Sequence, residues 1–141
     1  MATYNKFQDY VEQLNKAKHD WSSHTFKAAL TNSAPSASNT VFADITEISA
    51  GNGYSAGGMT LDSVTLTESS GTAKVTIADE VLTASGGSIG AFRYVVIYND
   101  SQTSPADALV NWYDYGSSIT LLAGESFTID FDATNGLWQM T

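Results

Sequence analysis

Ser85 to Asp100 reads SGGSIGAFRYVVIYND, a glycine-rich turn that opens onto a strand apolar on both faces. On an ideal strand Phe92, Tyr94, Val96 and Tyr98 fall on one side, with Val95 and Ile97 on the other, because successive side chains alternate across the pleat. A strand with two apolar faces has to be covered twice, so the segment is expected at the centre of a sheet, buried between two layers. This is the middle of a β-sandwich.

Strand signals continue on either side. Phe26, Ala28 and Leu30 alternate ahead of the polar loop TNSAPSASN, residues 31–39. Further strands are expected near Met59–Leu66, Thr72–Ile77, Val81–Ala84, Ile89–Asn99, Leu109–Tyr115, Ser117–Leu122, Ser126–Phe131 and Leu137–Met140. Phe127, Ile129 and Phe131 alternate with Thr128 and Asp130, which describes a half-buried strand of an outer sheet with one wet face. The apolar run from Val41 to Ile48 suits either a strand or a short helical turn. Ala50–Gly58, AGNGYSAGG, is too rich in glycine for a regular element and reads as an ordered loop anchored by Tyr54.

One helix is expected, between Tyr4 and Trp21, where Phe7, Tyr10, Val11, Leu14, Ala17 and Trp21 gather into an apolar stripe. A helix this short is marginal alone in water, so its stripe is expected to pack on its own domain or against another chain. Many short strands without alternating helices predict an all-β fold, an antiparallel, jelly-roll-like β-sandwich with one N-terminal α-helix. The helix takes residues 1–22 and the sandwich residues 23–141 of a single domain.

Composition narrows the function. A chain of 141 residues, 43% of them hydrophobic, suits one core that buries roughly two thirds of the unfolded surface. Without cysteine there is no disulfide framework, thiolate metal site or cysteine nucleophile. No apolar stretch approaches the roughly 20 residues needed to span a bilayer, and no membrane partner is expected. The net charge is −9, with Lys6, Lys16, Lys18 and Lys27 near the start and only Lys74 and Arg93 beyond them. Such a body repels phosphate backbones, so no nucleic-acid partner is expected. The four early lysines either solvate a helix face or approach an acidic partner surface.

Chemical motifs are few. Asp130 and Asp132 share a strand face in DFDATNG, but a calcium loop needs glycine where Asn135 stands and a later glutamate beyond the last residue. His19, Asp20 and His24 in HDWSSH are better explained by a helix C-terminus, with His19 near the negative end of the dipole and Trp21 folded back on the core. The glycine-rich segments lack the following helix that makes a phosphate loop. No nucleophile motif accompanies the serines, so no enzyme, catalytic residue, metal or cofactor is expected. Tyr113 and Tyr115 share a strand face while Trp112 looks the other way into the core. With Trp138, Asn111 and Asp114 nearby, they define a possible sugar-stacking platform.

TFKAALTNSAP (25–35), NTVFADITEISAGNGYSAGG (39–58), ASGGSIGAFRYVVIYND (84–100), SPADALVNWYDYG (104–116) and GESFTIDFD (124–132) resemble, in this order, a family of small tailed-phage structural proteins often encoded with head genes. The resemblance runs from about Lys6 to Trp138 and implies capsid decoration or cement function. It implies a virion protein on the head surface, assembled in the host cytoplasm, partnered by the major capsid protein and homo-oligomeric as a dimer or trimer. Phe7, Tyr10 and Lys16 are the candidate contacts to the shell. The alternative is a tail or fibre receptor-binding module that uses the aromatic platform for carbohydrate. A glycan hydrolase would need paired carboxylates in a cleft, for which Asp130 and Asp132 are the candidates.

Overall fold

A computed structural model describes residues 2–141. The fold is an antiparallel all-β sandwich with one short α-helix near its N-terminus. One layer is a five-stranded sheet in the order β1-β8-β7-β2-β3, made of Thr3–Lys6 (β1), Leu109–Leu121 (β8), Ile89–Asn99 (β7), Phe26–Thr31 (β2) and Met59–Thr60 (β3). Against its inner face lie a three-stranded sheet of Trp138–Met140 (β10), Thr72–Thr76 (β5) and Thr65–Ser69 (β4), and a pair formed by Glu80–Thr83 (β6) and Ser126–Ile129 (β9).

The central strand β7 spans Ile89 to Asn99 and is buried on both faces, as its sequence requires. Val95 and Ile97 enter the main core with Phe26, Leu30, Val75, Ile129 and Phe131. Val96 and Tyr98 enter a second core with Phe7, Ala29, Leu109 and Trp112. Phe92 departs from the expected alternation and joins Val95 in the main core. Register shifts between Gly90 and Phe92 and between Phe92 and Tyr94 explain the departure, because an extra residue turns the next side chain to the opposite face.

The second core is covered by the segment that follows β2. Phe42, in a 3-10 turn over Phe42–Asp44, stacks on Tyr98 with ring centroids 4.2 Å apart, and Ala37 and Ile45 pack beside it. Val41–Ile48 is therefore a helical turn with flanking bridges, Val41 to Ala108 and Glu47 to Thr31. The Asp44 carboxylate accepts from the Thr40 and Val41 amides, which hold it below the ordinary carboxylate range.

The expected helix from Tyr4 to Trp21 contracts to Asp9–Asn15 (α1). Thr3–Lys6 is instead a strand on the edge of β8, in register from Thr3 with Asp114 to Lys6 with Asn111, and the Tyr4 ring stands edge-on to Tyr113 at 5.7 Å. An added strand satisfies backbone groups along the open edge of β8, which a helical turn at these residues cannot do. The helix stops where Ala17 takes a φ of +58°, the left-handed conformation that terminates helices. Trp21 then folds back, stacking on Phe26 at 3.7 Å and donating from Nε1 to the Tyr10 hydroxyl at 2.9 Å. Phe7, Tyr10, Trp21 and the partly buried Leu14 pack on their own domain, whereas Val11 and Ala17 of the expected stripe are exposed.

Three expected strands change form. Met59–Leu66 divides into β3 and β4, while Leu109–Tyr115 and Ser117–Leu122 join as the thirteen-residue β8. Asp114 pairs with Tyr94 and Ile119 with Phe92, so Tyr115–Ser118 bulge out opposite Arg93 alone. Tyr54 anchors its loop as expected: its hydroxyl accepts from the Leu30 amide at 2.9 Å and donates to Glu47 Oε1 at 2.7 Å.

Candidate functional site

The sandwich is open along one side, where β1 and β8 of the large sheet diverge from β9. The resulting groove has a volume of about 1030 Å³. Its walls carry Tyr4, Tyr113, Tyr115, Phe127 and Phe131, with Asp79, Asp130 and Asp132 among the polar residues. Tyr115 lies where the bulge in β8 begins. Arg93 grips the Asp114 carboxylate through Nε at 2.8 Å and Nη2 at 3.0 Å, and the same carboxylate accepts from the Gly116 amide at 2.8 Å, where φ is +100°. The bulge is thus tied on both sides, and Tyr115 stands 49% exposed with its ring edge-on to Phe127 at 5.6 Å. Tyr4, on the adjacent strand β1 of the same sheet, is 40% exposed.

The carboxylates differ in their commitments. Asp79 Oδ1 accepts from the Phe131 amide at 2.9 Å. Asp132 accepts from the Asn135 amide, the Asn135 side chain and the Thr134 amide, at 2.7 to 2.8 Å, and these donors hold it below the ordinary range. Its oxygens close an Asx turn, which explains DFDATNG without a cation. Among the described residues the Asp130 side chain makes no hydrogen bond and no His, Cys, Asp or Glu cluster could hold a metal ion. Asp130 and Asp132 therefore stand in different surroundings, since Asp132 alone is engaged by the turn.

The expected aromatic platform is divided by the fold. Tyr113 and Tyr115 line the groove, whereas Trp112 packs at a tilt against Phe7 at 4.6 Å in the second core and Trp138 stands edge-on to Trp21 at 6.2 Å. Asn111 is fully buried and Asp114 is occupied by Arg93, so neither remains to bind a sugar. Tyr4, Phe127, Phe131 and Asp79 were absent from the sequence-based platform. Their signal lay in the alternation of Phe127 and Phe131, while Tyr4 was hidden in the helical stripe.

The shell-contact candidates separate as well. Phe7 is 0% and Tyr10 4% exposed, so both side chains serve their own interior and are not surface for a partner. Lys16 is exposed and pairs with Glu12 one helical turn earlier. His19 corrects another expectation. It is buried rather than placed as a charge at the helix end, and burial together with the nearby His24 pushes it down to about 4. Asn99 Nδ2 faces His24 Nδ1 at 2.9 Å and His19 Nδ1 at 3.3 Å, while Asn99 Oδ1 accepts from the Ser101 amide. Asn99 Nδ2 also meets the Lys18 carbonyl at 3.2 Å, so its two hydrogens are shared among that oxygen and the two ring nitrogens. Asp20 is held down to about 2 by the Ser22 and Ser23 hydroxyls and the Ser22 amide, and it serves the turn.

No helix among the described residues is long and apolar enough to cross a membrane. Comparison with protein-family models, with curated proteins and with solved structures finds no match to this chain.

Proposed function

We propose that this protein is a non-enzymatic virion component of a tailed phage, a decoration or cement protein that binds the outer surface of the assembled head and stabilises it. The observation that carries the reading is the groove, a broad aromatic and acidic docking surface on a rigid antiparallel frame. Of its carboxylates, Asp132 is committed to a turn and Asp79 to the Phe131 amide, which leaves Asp130 for a partner. The five segments that resemble phage head-encoded structural proteins supply the biological setting. A protein that binds the assembled shell better than free subunits opposes disassembly by mass action, and a dimer or trimer multiplies modest contacts with the major capsid protein. The acidic charge of −9 directs it away from the packaged nucleic acid.

Locating the protein on intact virions, by antibody-gold labelling or in a density map of the particle, tests the reading. Label distributed over the head lattice is expected, together with lower heat resistance of particles that lack the protein. Label confined to the tail or its tip would overturn it.

The second reading is a receptor-binding module that stacks carbohydrate, favoured by Tyr113 and Tyr115 sharing the groove with exposed Tyr4. No tryptophan lines the groove, so sugar binding there would move tyrosine resonances rather than quench tryptophan fluorescence.

A further inference from the structure

β9 is paired on one side only. β6 takes that side, in register from Glu80 with Ile129 to Thr83 with Ser126. Phe127, Thr128 and Ile129 of β9 all line the groove, although neighbours on a strand point to opposite faces, and residues 130–133, which follow the strand, continue its wall. Strand residues of both orientations border one groove when it follows the strand's edge, so the amides and carbonyls that β9 does not share with β6 face into it. On the other wall β1 is the outermost strand of its sheet, and among the described residues β8 has no partner on the β1 side beyond Asp114.

Among the described residues that line the groove the charged ones are all acidic, Asp79, Asp130 and Asp132, and Asp130 lacks an internal partner there. The exposed rings of Tyr4 and Tyr115 present π faces that attract cations. A neutral sugar would use the rings and leave the strand edge unpaired, and an anionic one would be repelled. A second copy lacks a suitable segment: Lys6 is already in β1, Lys16 pairs with Glu12, the Lys18 amide bonds back to Gln13, Lys27 pairs with Asp100, Lys74 donates to the Thr134 carbonyl and Arg93 pairs with Asp114.

We propose that the groove captures an extended cationic peptide segment of a partner protein, added as a strand to the free edge of β9, with Lys or Arg side chains against Asp130 and over the ring of Tyr115. Main-chain hydrogen bonds supply affinity and alternate side chains supply selectivity, as in other strand-addition sites. The inference rests on the decoration reading for the source of the peptide, an exposed arm or loop of the shell.

The test is a titration of ¹⁵N-labelled protein with an alternating Lys-Val peptide of about ten residues, the length of a long strand. Amide shifts should concentrate at residues 113–115 and 127–132 and weaken as salt is raised. Asp130→Asn, at an exposed position, should weaken binding about three-fold, within the range of exposed ion pairs. A peptide N-methylated at alternate residues, which cannot extend the ladder, should not bind. Equal binding of a Glu-Val peptide or of the N-methylated peptide would overturn the proposal. So would shifts elsewhere, shifts at these residues with an oligosaccharide alone, or concentration-dependent shifts without peptide. Binding of wild type and Asp130→Asn to isolated heads separates the two readings. If the peptide binds and neither protein adheres to heads, the decoration reading fails alone; if both adhere equally and the peptide is ignored, the groove assignment fails alone.

Discussion

At Gly58 the backbone φ is +86°, and a Cβ there would lie 2.1 Å from the Ala28 carbonyl oxygen. Gly58→Ala therefore combines a left-handed penalty with a backbone clash in β2, and a loss of about 3 kcal/mol is expected in urea unfolding. Tyr54→Phe removes a hydroxyl that serves both Leu30 and Glu47, leaving the buried Leu30 amide unpaired. That change should cost about 1–3 kcal/mol by the same measurement. His19 contributes to the pH response. Its native pKa of about 4 lies below the 6.5 of an exposed histidine, so the unfolded chain binds more protons between these values. Its stabilising contribution is complete above about pH 6.5 and is lost as pH falls toward 4, a change of about 3 kcal/mol over the window. His19→Phe should flatten the stability profile between pH 7 and 4 relative to wild type; an unchanged slope would show that another group controls it.

Among the elements, the bulge in β8 matters most for the site. Residues 113–115 read as one straight strand, and nothing in their alternation tells that Tyr115–Ser118 face Arg93 alone. Asp114→Ala removes the grip of Arg93 and the acceptor for Gly116, so the ring of Tyr115 should gain mobility in relaxation measurements with little change in melting temperature. The N-terminal segment behaves differently. Its apolar residues satisfy a helical stripe, yet only Asp9–Asn15 are helical, because β8 offers an open edge to Thr3–Lys6 and two separate cores need Phe7 and Tyr10. Phe7→Ala empties the space beside Trp112 and should cost about 3–5 kcal/mol, read by thermal or urea unfolding. Any loss of head binding in that variant would follow from instability, whereas Lys16→Glu leaves both cores intact.

For the whole molecule, a net charge of −9 and the absence of cysteine imply that melting will be insensitive to thiol reductants and that DNA-cellulose will not retain the protein at physiological salt. The sequence by itself determined the class of fold and its centre. Ile89–Asn99 is a strand buried twice because both of its faces are apolar, and the strands around it follow from period-two alternation and glycine turns, which are local properties. It also determined that Trp112 turns away from Tyr113 and that Tyr54 anchors its loop. Tertiary structure alone decided the rest. The face of Phe92 depends on a register shift against β8, the strand at Thr3–Lys6 depends on an edge more than a hundred residues away in sequence, and the neutral state of His19 depends on burial beside Tyr10 and Phe26. The groove belongs to this second category. It lies between the large sheet and β9, and their separation is set by the packing of the main core, which no local pattern encodes.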